Sequence, residues 1–188
     1  MSAVTLPPAA PPITAEEYLK LAPSDRPSEL VRGRIVVMNP PFSAHGYWCV
    51  QIAGILREYV RAHKLGRVIG NDGGVITERN PDTVRGADVA YYSYERVPRG
   101  PLPKGYWPAP ELAVEVRSSD DRWKTLVKKT SEYLEAGVLN VVIVEPEKQT
   151  VHIYSPDREA EILTIADTLT LPESLPGFSV SVGEIFET

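Results

Sequence analysis

The sequence predicts an α/β fold in which a mixed β-sheet is flanked by helices. Apolar residues recur at helical spacing in two long segments, residues 44–63 and 121–136. Short runs rich in β-branched residues lie between and after these segments, as expected of strands. A chain of 188 residues, 43% of them hydrophobic, is large enough to bury a sizeable core. Helices and strands that share one core pack as helices on the faces of a sheet.

The chain begins with a predicted flexible arm, residues 1–13, which is rich in proline and alanine and has few large apolar residues. A single domain is expected over residues 14–188. Thr14 and Glu17 match the pattern of a capping box, and they predict a short helix that ends near Leu21.

The next elements are predicted to be strands around the first long helix. A hairpin is expected over residues 28–39, where Arg32-Gly33 interrupts an apolar run. Beyond the helix, two short strands at residues 68–71 and 75–77 are predicted on either side of a turn at residues 72–74.

The second half of the chain continues with strands at residues 87–92 and 112–116. The segment between them, residues 93–110, is so rich in proline that only an irregular surface loop tolerates it. The second long helix follows and ends at Gly137. Closing strands are expected at residues 141–144, 150–154 and 161–165.

Charge and cysteine content limit the possible functions. The formal net charge of -5 gives no general attraction to polyphosphates, so nucleic acid must be held by a local basic patch or by metal ions. Cys49 is the only cysteine, which excludes an internal disulfide and a zinc cluster built on cysteines, and it is predicted to be a small buried apolar residue. No apolar run reaches the roughly 20 residues of a membrane span. We expect a cytoplasmic protein without a membrane partner.

Two acidic residues interrupt apolar strands. Alternation along the strands places Asp88 and Glu115 each on the same face as an alanine. Burying an unpaired carboxylate is costly, so both acids need cations nearby. A hard divalent cation with oxygen ligands is one candidate. Ordinary salt bridges to Arg85 and Arg117 are the alternative, and the spacing alone leaves both open.

Lys129 lies on the flank of the apolar stripe of the second long helix, nearer to the sheet than Lys124 or Lys128. An ammonium beside a metal-held phosphate orients water or stabilises transition-state charge. The alternative is a lysine that extends from the flank to solvent. The predicted stripe comprises Leu126, Val127, Thr130 and Leu134.

Several motifs together resemble the Uma2 family, and the resemblance covers nearly the whole chain after the arm. The family belongs to the PD-(D/E)XK nuclease-like superfamily. The motifs are SELVRG at residues 28–33, PP at 40–41 with His45, RGADVA at 85–90, PELAVEVRS at 110–118 and KxxxYxxxGV at 129–138.

The resemblance implies a restriction-endonuclease-like core and a metal-dependent endonuclease that hydrolyses phosphodiester bonds in DNA. It also implies that Asp88 and Glu115 hold Mg²⁺, with Mn²⁺ as a possible substitute. Glu29 is implied to assist them, and Lys129 is the motif lysine moved onto the helix. Related nucleases often pair to cut both strands, so a homodimer is expected. A nuclease-like module that binds nucleic acid or protein without cutting, or a metal-stabilised structural subunit, is the alternative.

Other substrate contacts are suggested by single residues. Arg117 stands where many superfamily nucleases carry lysine, and it is suited to clamping a phosphate but not to acting as a base. His45 opens the first long helix, either to contact the scissile phosphate or assist water, or as a cap or surface residue. The proline-rich loop is a candidate DNA-facing edge, because Arg96, Arg99 and Lys104 make it locally basic.

Overall fold

The computed structural model describes residues 11–21, 26–119 and 121–187. Most of the predicted arm, residues 1–10, lies outside the described residues. The helices are α1 (Ala15–Lys20), α2 (Ser43–Ala62), α3 (Trp123–Glu135) and α4 (Val182–Ile185). The strands are β1 (Ser28–Val31), β2 (Arg34–Val37), β3 (Gly66–Glu78), β4 (Thr83–Ser93), β5 (Leu112–Val116), β6 (Asn140–Glu145), β7 (Thr150–Tyr154), β8 (Glu161–Leu163), β9 (Thr168–Thr170) and β10 (Ser179–Ser181).

The predicted mixed sheet with flanking helices is confirmed. Eight strands form one sheet in the order β2-β1-β4-β5-β6-β7-β8, and β3 pairs with β4 outside this path. Only β5 and β6 run parallel among the strand pairs of this sheet in the described part of the chain, and α3 is the crossover between them. None of the described helices combines the length and apolar character needed to cross a bilayer.

The two faces of the sheet are covered by different helices. Ile52 and Leu56 of α2 pack on one face, against Val114 and its neighbours. Tyr133 of α3 packs on the opposite face, where it joins Ala113. Because successive strand residues point to opposite faces, β5 contributes to both cores, and full burial of each large apolar side chain stabilises the fold by roughly 1.5–3 kcal/mol.

Most predicted elements are confirmed near their expected bounds, and the capping box of α1 forms as predicted. The predicted turn at residues 72–74 is wrong. β3 is one strand of 13 residues with a register shift between Gly70 and Gly73. Asn71 and Asp72 adopt positive φ angles of 61° and 55° in this bulge. A bulge accommodates residues in the left-handed backbone conformation, and β3 pairs with β4 both before and after it.

Two further differences concern helices and the carboxyl-terminal region. Val127 is 46% exposed, whereas Tyr133 is fully buried, so the buried stripe of α3 is rotated from the predicted one. The sequence pattern does not predict the elements β9, β10 and α4. They have three or four residues each, too few to show a hydrophobic period.

Candidate functional site

The sheet forks along β4. β1 pairs with β4 at Val84, and β5 pairs with it from Val89 onward. The segment between these two pairings, residues 85–88, is called the fork below. Side chains from α2, α3 and β1 reach it in place of a neighbouring strand.

Gly86 lies in the fork and offers both backbone groups to side chains. Its N–H donates to Glu29 Oε1 at 3.0 Å, and its carbonyl accepts a bond from Lys129 Nζ at 2.7 Å. A Cβ at this position would lie 2.8 Å from Cβ of Asp72, so the backbone of β3 approaches too closely for a side chain. Glycine is therefore required where the two strands bring these groups together.

Glu115 of β5 is 4% exposed and both its carboxylate oxygens are bonded. Lys129 Nζ donates to Oε2 at 2.8 Å, and the Tyr133 hydroxyl donates to Oε1 at 2.9 Å. Burial raises the pKa of Glu115 to about 8, with a further contribution from the charge of Asp88 and opposition from Lys129. Burial alone would lower the pKa of Lys129. The negative charges of Glu115 and Glu29 outweigh this effect and raise the pKa. Lys129 is thus a buried cation shared by carboxylates.

Glu29 of β1 is held by a second cation. Arg85 Nη1 donates to Glu29 Oε2 at 2.7 Å, and Lys129 Nζ lies 3.2 Å from Oε1. Burial raises the pKa of Glu29, but Lys129 and Arg85 outweigh burial and lower it. Arg85 also makes a two-pronged contact with Glu132 of α3, at 2.6 and 3.0 Å. Arg85 therefore pairs with Glu29 and Glu132 rather than with Asp88 or Glu115.

Asp88 of β4 is 8% exposed and is contacted from β5 and α2. The backbone N–H of Val116 donates to Asp88 Oδ2 at 2.6 Å. His45 Nε2 lies 3.4 Å from the same oxygen, and His45 Nδ1 lies 3.4 Å from Cys49 Sγ. The hydrogen bond to Asp88 raises the pKa of His45 to about 11, so its imidazole is cationic at neutral pH. Cys49 is half-buried beside this histidine, and the prediction of a merely apolar residue misses that contact.

Asp72 is an acid of the site that the sequence reasoning missed. Burial raises its pKa, the charge of Asp88 raises it further, and Lys129 and His45 oppose that rise. These couplings, with the contact to Gly86, put Asp72 beside the fork. A signal was present in the sequence: the acid stands before two glycines, a composition that suits a bulge as well as a turn.

Arg117 is not brought to the fork. Its guanidinium pairs with buried Glu145, Nη2 donates to the Asp121 carbonyl at 3.3 Å, and the group lies 5.2 Å from the centre of the Trp123 ring. The alternative in which Arg117 neutralises Glu115 therefore does not apply, because Lys129 and Tyr133 bond that carboxylate.

The arginines of the proline-rich loop are tied into the fold. Arg96 pairs with Glu111 at 3.2 Å and donates to backbone carbonyls. Arg99 lies 4.0 Å from the centre of the Tyr94 ring and donates to the Lys64 carbonyl at 2.9 Å. Both side chains fix the loop, so a role at a DNA-facing edge stays a prediction.

Comparisons with known proteins agree with this architecture. The sequence model of the Uma2 family, described as "Putative restriction endonuclease", matches residues 15–183. A crystal structure described as "a putative nuclease belonging to DUF820", from Anabaena variabilis, superposes with a TM-score of 0.82 at 22% sequence identity. The alignment covers 93% of this chain and 98% of that chain, and at this identity the likeness shows the fold. No curated protein matches the chain.

Proposed function

Because the chain belongs to the Uma2 family of restriction-endonuclease-like proteins, we propose that it is a Mg²⁺-dependent endonuclease that hydrolyses phosphodiester bonds in DNA. The observation that carries this proposal is the meeting of Asp88, Glu115 and Lys129 at the fork. Two acids on neighbouring strands with a lysine beside them supply both ligands and a charge-stabilising group.

The residues at the fork fit a hard divalent cation. Carboxylates of Glu29, Asp72, Asp88 and Glu115 share this small region with Lys129, while Arg85 is divided between Glu29 and Glu132. Burial raises the pKa values of Asp72 and Glu115, so a cation bound at the fork would favour their ionised forms. A cation that prefers oxygen ligands matches this donor set, and Mn²⁺ matches it as well.

In the proposed mechanism, Asp88 and Glu115 hold the metal and the other residues arrange charge. When bound, Mg²⁺ polarises the phosphodiester and lowers the pKa of water. Lys129 keeps an ammonium beside Glu115 and stabilises the negative charge that builds on the phosphate. Glu29 assists by orienting that ammonium, with Nζ at 3.2 Å from its Oε1.

His45 is assigned a phosphate contact. Its raised pKa of about 11 makes it a donor rather than a base near neutral pH, so of the two catalytic options it suits phosphate binding. Arg117 is not assigned a phosphate contact, because it lies away from the fork. Its pairing with Glu145 and its contact with Trp123 support a structural role.

The test is metal-dependent nicking of plasmid and single-stranded DNA. Asp88→Asn keeps the shape of the side chain while removing a ligand charge, and we expect cleavage with Mg²⁺ or Mn²⁺ to fall roughly a hundredfold or more. Glu147→Gln is the matched control, because Glu147 is exposed on the turn after β6. Metal-dependent cleavage that persists in Asp88→Asn would contradict the assignment of Asp88 as a metal ligand.

One observation favours the alternative of a binding module that does not cut. Protein groups already bond both oxygens of Glu115, so that carboxylate is satisfied without an ion. A gel-shift assay in chelator separates the two functions. Salt-sensitive DNA binding without cleavage under either metal would favour the module.

A further inference from the structure

A second set of potential metal ligands meets at the amino-terminal end of α2. His45 and Cys49 are four residues apart on this helix, so their side chains lie on the same face. Cys49 Sγ lies 3.4 Å from His45 Nδ1, and Asp88 Oδ2 lies 3.4 Å from His45 Nε2. One ligand atom from each of the three side chains lies within 4.8 Å of the others. The group combines sulfur, nitrogen and oxygen donors.

We propose that His45, Cys49 and Asp88 bind a divalent transition metal, with Zn²⁺ the best-fitting ion and one coordination position open. Bond lengths of about 2.0–2.3 Å place neighbouring ligands of tetrahedral zinc roughly 3–4 Å apart. One ligand atom from each of the three side chains lies within 4.8 Å of the others, and each of the two 3.4 Å separations joins a different nitrogen of the ring to its partner. The imidazole now bridges thiol and carboxylate with its two nitrogens, so binding requires the ring to turn until one nitrogen faces both partners.

The surroundings support and expose this group. The backbone N–H of Val116 fixes Asp88 Oδ2 with a 2.6 Å bond, which orients the carboxylate. The side chain of His45 is 16% exposed, so an ion has a route from solvent. Binding releases two protons to solvent, one from the Cys49 thiol and one from the His45 imidazolium, because the ligands are the thiolate and the neutral imidazole.

The thiolate separates this site from the Mg²⁺ site. A soft sulfur ligand selects zinc-like ions, whereas Mg²⁺ takes oxygen ligands. Asp88 belongs to both sites, so Zn²⁺ and Mg²⁺ compete for it. This consequence rests on the proposed nuclease function: Zn²⁺ is expected to inhibit Mg²⁺-dependent cleavage. Zinc binding itself does not depend on cleavage.

Cobalt titration of the full chain without nucleic acid tests the site. Co²⁺ bound by a thiolate gives a charge-transfer band in the near ultraviolet, and with a single cysteine in the chain this band reports Cys49 alone. We expect one equivalent to bind, Cys49→Ser to abolish the band, and His45→Ala to weaken cobalt affinity at least about tenfold. His63→Ala is the control, since His63 lies just after α2 and away from the site, with Nδ1 bonded to the Tyr59 carbonyl.

A second measurement uses the unsubstituted protein and is independent of how the variants fold. Zn²⁺ is expected to slow alkylation of Cys49 at least about tenfold, whereas Mg²⁺ leaves the rate unchanged. Absence of the cobalt band, full affinity in His45→Ala, or alkylation indifferent to Zn²⁺ would each overturn the site. Failure here leaves the nuclease proposal standing, because these readouts involve no cleavage, and loss of nuclease activity would leave zinc binding intact.

Discussion

Lys129 is the cation that two buried carboxylates share. Its ammonium bonds Glu115 and the Gly86 carbonyl and lies 3.2 Å from Glu29. A lone buried carboxylate would favour protonation, and removing one partner of a buried ion pair leaves the other uncompensated. The same cation therefore supports both the fold and the proposed chemistry.

Replacing Lys129 with methionine tests both roles. We expect Lys129→Met to lower the free energy of unfolding by about 3 kcal/mol, because Glu115 and Glu29 lose their shared cation. Cleavage should fall roughly a hundredfold or more, since the charge on the phosphate is no longer stabilised. Urea unfolding and plasmid nicking measure the two effects. Lys128→Met is the control, because that side chain is 63% exposed, and an equal effect there would contradict the role of Lys129.

Glu115 predicts a pH dependence of stability. Burial raises its pKa to about 8 in the fold from an ordinary value of 4.5, so the folded state prefers the protonated acid. The stabilisation is complete below about pH 4.5 and is lost as pH rises through about 8. Without metal, the free energy of unfolding should therefore fall from about pH 5 to about pH 8, and this fall should be smaller in Glu115→Gln. Chemical denaturation at several pH values measures the free energy of unfolding of both proteins. Parallel pH profiles would contradict the assignment of this pH dependence to Glu115.

At the scale of elements, the fork and the bulge of β3 act together. The fork leaves the backbone groups of Gly86 free for Glu29 and Lys129, while the bulge brings Asp72 against the same glycine. A regular β3 would place a different side chain next to Gly86, because each single-residue shift of register moves the side chains of a strand to the opposite face of the sheet. The irregularity thus determines which acid borders the site.

Asp72→Asn isolates the charge that the bulge contributes. Asparagine tolerates the left-handed φ of 55°, so the backbone should be preserved while one carboxylate is lost. We expect Mn²⁺ binding to weaken roughly tenfold, in proportion to one unit charge near the ion. Calorimetric titration measures the affinity. Asp157→Asn is the control, since Asp157 is exposed and has a similar φ of 57°, and equal weakening in both variants would exclude a local role for Asp72.

For the whole molecule, periodicity explains why most of the fold is predictable from sequence. Helical and strand periods identified α2, α3 and the central strands within a few residues of their bounds. Elements of only three or four residues are too short to show a period, as in α4, which packs into the core through Ile185. Such elements depend on tertiary packing rather than on local pattern.

The candidate site was predictable in part for the same reason. Strand alternation identified Glu115, and the helical flank identified Lys129, because both features are local. The partner of Arg117 cannot be predicted from local patterns, because it depends on strand pairing. The parallel register aligns Val116 with Val144 and so brings Glu145 next to Arg117. Asp72 was missed because bulges and turns favour the same residues.

The outer edges of the sheet predict how two copies meet. Among the described strands, β2 pairs only with β1, so no described strand covers its other edge. Val37 of β2 is 52% exposed, and Ile35 and Val36 are similarly accessible. Apolar edge strands favour pairing with another chain, and we expect a homodimer that joins through β2.

Light scattering at several concentrations tests this arrangement. Val37→Lys should shift the mass from dimer to monomer, because a charge on the edge strand opposes pairing. Ile162→Lys is the matched control, since Ile162 is 59% exposed on β8 at the opposite edge of the sheet. A monomeric parent protein, or dissociation caused by Ile162→Lys instead, would exclude β2 as the contact. A dimer joined through β2 carries two forks, one from each copy, and so has the two sites that cutting both strands of a duplex requires.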